Sequence, residues 1–560
     1  MSPSSPINGY TNGYTNGFTN GVQHSPPNSV NGDHTPMSDS GEFLRSNQAP
    51  AGWIIQKFGG TSVGKFPEKI AEEIVKVYVA RNKVAIVCSA RSTDTKAEGT
   101  TNRLLNAADE AMKAGSTKYL DVVDQIREDH IQEARKLIKN PDLADELCNH
   151  IKAECSKLAS FLSAAQIINE ISPKSKDIII GAGEKLSCRL MATLLRDRGV
   201  DAEYVSLENI LPSDYAMKGG LCQNFYDDLA KRLQKRIDLC GDRVPVITGF
   251  FGYVPGSLLD VIGRGYTDLC AALVAVGIKA AELQVWKEVD GIFTADPRKV
   301  PSAKLLSTIT PEEAAELTYY GSEVIHPYTM EQVIRARIPI RIKNVENPTG
   351  TGTVIFPDTM SARGLDTPPH PPKLFRSESA RNLFQLHPRL PTAVTIKNKI
   401  VVLNIHSNRK SLSHGFFASI FSTLDKYQLV VDLISTSEVH VSMALHAEVR
   451  EESMRDAIDD LRKYGTVDVI RNMTILSLVG KHMRNMVGIA GRMFTTLAKS
   501  GVNIEMISQG ASEINISCVI DENDATKALR VIHDELLFKD ENDPITLDNL
   551  MTNTQEKFRR

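Results

Sequence analysis

Lys57-Phe58-Gly59-Gly60-Thr61-Ser62-Val63 is the stretch on which the reading of this chain turns. It closes an apolar run, residues 53–58, that reads as a buried strand, and it precedes residues 67–80, whose apolar spacing reads as a helix. Glycines at such a corner let the backbone approach a ligand, and the first turn of a helix offers unpaired N–H groups to an anion. Strand, Gly59-Gly60 and helix therefore sketch a phosphate cradle. Lys57, at the strand end, is placed to neutralise charge as it moves between oxygens. A glycine pair alone would equally mark a plain strand-turn-helix corner. The spacing Gly59-x4-Gly64-Lys65 comes close to a P-loop, but Phe66 stands where that motif needs the Ser or Thr that holds magnesium.

Working outward, residues 83–89 read as a second buried strand and residues 101–170 as a long helical region. Residues 177–181 read as a strand, 185–198 as a helix, and 244–250, 281–286 and 338–343 as further strands. This alternation predicts an α/β domain over 52–356, a mostly parallel sheet sandwiched by helices. Upstream, residues 1–48 are low in complexity, with the near-repeat Asn8-Gly9-Tyr10-Thr11, Asn12-Gly13-Tyr14-Thr15, Asn16-Gly17-Phe18-Thr19. Such a tail buries too little apolar area to offset chain entropy and is expected to be disordered. Residues 357–391 are rich in Pro, Ser and Arg and read as a linker or insertion, in which Arg376-Ser377-Glu378-Ser379 is a solvated segment rather than a modification site.

An internal repeat follows. Residues 415–435 and 488–508 align without a gap, sharing the leading glycine, Phe421/Phe494, Thr423/Thr496, Leu424/Leu497, Lys426/Lys499 and Ile434/Ile507. Tandem copies of one small α+β unit, at 392–472 and 473–545 and followed by a tail at 546–560, are the simplest account. The boundary near 470 falls where strands can be exchanged between the copies.

Composition narrows the function classes. Among 560 residues, 65 are basic and 68 acidic, a net charge of -3, which leaves no domain-wide basic excess for nucleic acid or an anionic membrane. The 8 cysteines form no C-x-x-C pair, so neither a zinc ribbon nor a redox motif is indicated, and no metal ligand set is assigned. The longest uncharged apolar stretch, 244–259, is interrupted by Pro245 and Pro255 and is shorter than the ~20 residues of a membrane helix. Without a signal-like N-terminus, the expected location is cytoplasmic.

The segment 57–63 resembles the signature that opens aspartate kinases of the amino-acid kinase superfamily. The resemblance continues through Val87-Cys88-Ser89-Ala90, Thr100-Thr101-Asn102, Gly183-Glu184-Lys185-Leu186-Ser187 and Gly263-Arg264-Gly265-Tyr266-Thr267-Asp268. It then runs through 289–298 and the string Val324-Ile325-His326-Pro327, covering nearly everything from Ile54 to Leu537. It implies an ATP-dependent phosphorylation of L-aspartate, with magnesium entering as the ATP complex and no tightly bound cofactor.

The resemblance also assigns residues. Lys57 and Asp268 are catalytic, Asp268 orienting the lysine. Glu184, read as sitting at a strand-to-helix turn, pairs with the substrate ammonium, and Arg264 holds the α-carboxylate, a planar anion that suits a guanidinium fork. Ser89, Thr101 and Thr267 complete the substrate set. Gly59, Gly60, Ser62, Lys287, Glu288, Phe293, Asp296 and Arg298 fall on the nucleotide side. Glu323 departs from bacterial relatives that carry a lysine before the Val-x-His-Pro string, and His326 reads as a packing group.

The two repeats resemble ACT domains, which bind amino acids at paired interfaces and imply a homo-oligomer. Ser413, Gly415, Phe416 and Asp432 match effector positions in the first copy. Gly488 and Asn503 stand at the corresponding places in the second, whose expected role is subunit pairing. Resemblance to the fungal type implies a monofunctional enzyme with L-threonine as effector. Two rivals remain at this stage: a catalytically dead amino-acid sensor, and a kinase for another small acid such as glutamate.

Overall fold

The computed structural model describes residues 44–92, 99–212, 221–252, 254, 257–320, 325–356, 390–407, 415–437, 439–446, 451–510 and 514–537. Residues 1–43, the linker at 357–389, Glu323, Ser413 and the C-terminal tail thus lie outside the described residues. Residues 44–48, expected in the tail, belong to the catalytic half. Arg45 bridges Val200, and the buried Asn47 exchanges hydrogen bonds of 2.8 Å with the backbone of Val84.

Eight strands build the first sheet: β1 (Trp53–Phe58), β2 (Lys83–Cys88), β3 (Ala202–Val205), β4 (Val244–Thr248), β5 (Glu282–Lys287), β6 (Thr308–Ile309), β7 (Ile340–Asn344) and β8 (Thr353–Ile355). Their order is β3-β4-β2-β1-β5-β7-β8-β6, parallel from β3 to β7, with β8 antiparallel to β7. Strands such as Lys83–Cys88 and Val244–Thr248 are apolar nearly throughout because helices cover both faces. The buried Gln56 amide donates through Nε2 to Gln284 Oε1 across β1 and β5 at 3.0 Å.

Residues 177–181 do not form the expected strand. They lie inside the helix Pro173–Asp197, which starts where the Ser172 side chain accepts the Ser175 N–H and Pro173 occupies the first turn. Ile178-Ile179-Ile180 looked like a strand because this helix is packed on nearly every side. An apolar run without period does not separate a buried helix from a buried strand. Residues 101–170 form three helices, Thr100–Ala111, Lys118–Leu137 and Pro141–Ile168, and the last is capped by Asn140.

The second sheet is antiparallel, in the order β10-β11-β9-β12-β14-β13, from β9 (Ala393–Ser407), β10 (Val431–Thr436), β11 (His440–His446), β12 (Gly465–Val479), β13 (Met506–Ser508) and β14 (Asn515–Asp521). The repeats are visible as helices Phe416–Lys426 and Ile489–Lys499, both begun by a left-handed glycine, Gly415 at φ 89° and Gly488 at φ 84°. Long strands β9 and β12 serve both units. Residues 400–407 of β9 pair with 465–473 of β12, whereas Ala393–Lys397 pair with Ile475–Val479 and so complete the second unit's sheet. A strand from the first copy's segment is therefore built into the second copy.

The two halves meet through Glu313. Its Oε1 accepts from Thr392 Oγ1 at 2.6 Å and from the Lys481 N–H at 2.8 Å, while the same side chain closes a capping box with Thr310. Tyr320, at the end of the helix Pro311–Tyr319, packs among Ile400, Leu433, Met473 and Met506 on the second sheet.

Candidate active site

In the first sheet the chain leaves β1 to build β2, β3 and β4 on one side, then crosses to β5 on the other. Between β1 and β5 the strand order reverses, the position where open α/β sheets offer a crevice beyond their carboxyl ends. Lys57, Ser89, Gly249 and Lys287 all stand at that edge, at or just past the ends of β1, β2, β4 and β5.

Lys57 Nζ lies 2.7 Å from Asp268 Oδ1, and both side chains are partly covered. Asp268 sits in the first turn of the helix Tyr266–Gly277, so Lys57 is aimed by a group on a packed helix rather than by a loop. One residue earlier, Thr267 donates to Glu184 Oε1 at 2.9 Å, and the Phe250 N–H donates to Glu184 Oε2. The Tyr266 hydroxyl is also hydrogen-bonded to this carboxyl. Glu184 is 1% exposed, and burial pushes its carboxyl up to about 7, held back by these donors and by Lys57. Contrary to the expectation of a strand-to-helix turn, Glu184 projects from the interior of the helix Pro173–Asp197.

Close packing sets the remaining geometry. A Cβ on Gly249 would lie 2.6 Å from Thr267 Oγ1, so glycine here lets the threonine reach Glu184. A Cβ on Gly60 would lie 2.3 Å from the Ala90 carbonyl oxygen, and one on Gly64 would lie 1.8 Å from that of Ser92. Segment 59–64 thus rests directly on the backbone after β2, joined by Ser92 N–H to Gly60 O at 2.9 Å and Ser89 N–H to Phe58 O at 3.1 Å. Gly64 has a packing role, which accounts for a P-loop-like spacing without a P-loop. Ser62 donates to Glu288 Oε1 at 2.7 Å and ties the Gly-Gly helix to the end of β5.

Arg264 occupies the short turn Gly263–Gly265, directly before Tyr266. His326 packs against it, since a Cβ on Gly265 would lie 2.2 Å from the imidazole Cδ2. Desolvation lowers the His326 pKa, with Asp268 opposing. Asp177, buried one turn before Gly181, accepts from Ser257 Oγ and from the Leu258 and Leu259 N–H groups, and so anchors the approach to this turn. Thr101 opens the helix Thr100–Ala111, whose Thr100 methyl faces Gly183.

Phe293, Asp296 and Arg298 lie on a separate hairpin closed by a Phe293–Leu305 bridge. Arg298 is 89% exposed and forks onto Asp296 at 3.0 and 3.1 Å. In the first ACT-like unit Gly415 and Phe416 open a helix, and Phe416 is buried in that unit's core rather than turned to solvent. Asp432 lies on the edge strand β10 with Oδ1 2.7 Å from Lys397 Nζ. Its Oδ2 is buried with no hydrogen-bond partner among the described residues. Sequence reading missed Tyr266 and the Phe250 N–H around Glu184. Tyr266 lies inside the quoted 263–268 motif and was within reach, but a backbone donor has no sequence signal. Lys397 on Asp432 was missed as well, because the pair is 35 positions apart and on different strands.

Comparison with known proteins agrees with this geometry. Residues 52–344 match the amino acid kinase family, and residues 476–536 match an ACT domain. The chain is 58% identical over 491 residues to an aspartokinase of Schizosaccharomyces pombe, covering 88% of this chain and 94% of that protein. It is 54% identical over 518 residues to the aspartokinase of Saccharomyces cerevisiae, covering 91% and 97%. Among solved structures, Escherichia coli aspartokinase III in complex with aspartate and ADP aligns with a TM-score of 0.65 and 26% identity, over 87% of this chain and 100% of that one. Matched in its first sheet, its second ACT unit and most of its length, the chain belongs to the amino acid kinase family and, within it, to the aspartokinases.

Proposed function

We propose that this aspartate kinase transfers the γ-phosphoryl group of ATP to the β-carboxylate of L-aspartate, giving 4-phospho-L-aspartate at the entry to threonine and methionine synthesis. The observation that carries the reading is the Lys57–Asp268 pair at 2.7 Å, one residue from the Thr267 that holds the buried Glu184. One helix start thus holds both the lysine and the carboxyl that receives an ammonium. The β-carboxylate is ionised at neutral pH and needs no general base, so catalysis rests on positioning and on charge stabilisation as the phosphoryl group moves in line. Lys57 meets the transferring group, held in place by Asp268. Glu184 takes the substrate ammonium, and Arg264 the α-carboxylate. Ser89, Thr101 and Thr267 close the pocket.

On the nucleotide side, Gly59, Gly60 and Ser62 face the phosphates, and Lys287, Glu288, Phe293, Asp296 and Arg298 hold the rest of ATP, which arrives with magnesium. ADP release measured with L-aspartate and with L-glutamate tests the whole reading. Turnover with aspartate and not with glutamate is expected, whereas no turnover with either would leave an amino-acid sensor.

Regulation belongs to the same proposal. The unpartnered Asp432 Oδ2 calls for a donor, and an amino-acid ammonium supplies one. L-Threonine is the proposed effector, with its carboxylate at the segment leading to Gly415. A homo-oligomer is supported by exposed apolar side chains on the first ACT unit, Phe417 and Phe421 on the helix Phe416–Lys426 and Val430 and Ile434 at strand β10. No helix among the described residues is long and apolar enough to cross a membrane, and a cytoplasmic location is proposed.

A further inference from the structure

The hairpin that carries Phe293, Asp296 and Arg298 belongs to the catalytic half by sequence, but most of its anchorage lies in the second ACT unit. Its arms are joined by the Phe293–Leu305 bridge and by Thr294 N–H to Lys304 O at 2.9 Å. Between them, Ala295 and Val300 are buried in the same apolar cluster as Leu476, Met493, Ile516 and Ile532, which is the core of that unit. Polar contacts repeat the pattern. The Val394 N–H donates to Thr294 O at 2.8 Å, and Arg530 Nε donates to Lys299 O at 2.7 Å.

At the centre stands His533, on the last helix of the second unit, Ala525–Leu536, and 0% exposed. Its Nε2 is 2.9 Å from Thr294 Oγ1, and its Nδ1 is 3.4 Å from Ser302 Oγ and 3.3 Å from Asp534 Oδ1. A carboxylate only accepts, so Nδ1 is the ring's donor toward Asp534 and Ser302, and Nε2 pairs with the Thr294 hydroxyl. That hydroxyl in turn accepts from the Lys304 N–H at 2.9 Å. One imidazole therefore fixes both arms of the hairpin, through Thr294 and through Ser302. An apolar residue would fill this space without a desolvation cost. A fully buried, hydrogen-bonded histidine adds a directional constraint that apolar packing alone does not supply.

We infer that His533 is a positioning residue for the nucleotide, and that the second ACT unit holds the hairpin where Phe293, Asp296 and Arg298 meet ATP. The unit thereby sets ATP affinity whether or not it binds an amino acid itself. This rests on the reading of those three residues as nucleotide contacts. The test is steady-state kinetics on the full chain, varying ATP and aspartate separately, for Thr294→Val, His533→Ala and His533→Gln. An Asp296→Ala, Arg298→Ala double variant serves as reference. Thr294→Val removes only the hydroxyl at nearly constant volume, so it keeps the test open if His533→Ala fails to fold.

Thr294→Val and His533→Ala are expected to raise the KM for ATP about tenfold while the KM for aspartate, and kcat at saturating ATP, stay within about twofold. His533→Gln, which keeps a side-chain hydrogen-bonding group, should stay within about threefold of the parent. If the reference variant raises the ATP KM but Thr294→Val leaves it unchanged, the clamp is overturned and the nucleotide reading stands. Lower kcat or less folded protein with an unchanged ATP KM would mark a merely structural contact, and likewise overturns it. If the reference variant itself is neutral toward ATP, the nucleotide reading falls and the clamp falls with it.

Discussion

Glu184 is the residue whose environment has the clearest thermodynamic consequence. Burial raises its carboxyl from the ordinary 4.5 to about 7, so the folded protein binds this proton more tightly than the unfolded chain does. The sign follows from linkage. The stabilisation is complete below about pH 4.5 and is lost as pH rises through about 7, a difference of about 3 kcal/mol against the folded state without substrate. An ammonium placed on Glu184 reverses the preference and drives the proton off. Aspartate affinity is therefore expected to rise about tenfold per pH unit up to about 7 and then level off. Calorimetric titration at pH 6 in two buffers of different ionisation enthalpy should show close to one proton released per aspartate bound. A titration with no proton release would remove Glu184 from the ammonium site. At the neighbouring residue, Lys57→Ala should lower kcat by more than about 100-fold with a smaller effect on the aspartate KM, since it removes a charge aimed at the transferring group. A variant with normal kcat and a raised KM would reassign Lys57 to ground-state binding.

At the scale of the element, the strand-turn-helix corner at 57–65 works because two backbones touch. Gly60 and Gly64 lie against the carbonyls of Ala90 and Ser92, neither of which can turn aside as a flexible side chain could. Gly64→Ala should therefore push segment 89–92 away from the corner and take Ser89 with it. The expected cost is at least ~2 kcal/mol of stability, read in denaturant unfolding, together with a fall in kcat/KM. Gly415→Ala provides the contrast. Its Cβ would meet nothing within 4 Å, but φ is 89°, so the cost is conformational alone, about 1–2 kcal/mol, with catalysis unchanged. Equal effects of the two substitutions would show that the 59–64 contact has no special role.

At the scale of the whole molecule, specific side-chain contacts join the two halves in addition to the apolar packing of Ala295, Val300 and Tyr320. Asp432 is bound by Lys397, whose ammonium also lies 5.4 Å from the Tyr319 ring centroid on the catalytic half. Tyr319 ends the helix Pro311–Tyr319, whose first turn carries Glu313 and its bonds to Thr392 and Lys481. An effector ammonium on Asp432 Oδ2 would share the carboxylate with Lys397, and the Lys397–Tyr319 contact is where such a change would meet the catalytic half. Asp432→Ala should leave uninhibited activity near normal and shift the threonine response to higher concentration. Titrations with threonine and with lysine, on both proteins, measure it. Unchanged threonine inhibition in the variant would place the effector elsewhere, and inhibition by lysine alone would overturn its identity.

Much of this was present in the order of residues. The apolar strands between helices require a covered parallel sheet, and the two aligned glycine-led segments require a duplicated small unit, because each of these signals is local. The motifs at 57–63, 183–187 and 263–268 also contain Lys57, Glu184, Thr267 and Asp268, which the fold brings into contact. Three things needed the tertiary structure. Residues 177–181 became helix because full burial removes the amphipathic period by which helices are recognised, and Glu184 moved from a turn to a helix interior with them. The strand 393–397 joined the second copy because pairing with 475–479 depends on register across the sheet, which no local pattern encodes. The contacts of His533 with Thr294 and of Lys397 with Asp432 span 239 and 35 positions. Pairs so distant leave no periodicity or spacing in a single sequence, and only the packing of the folded chain brings them within hydrogen-bond reach.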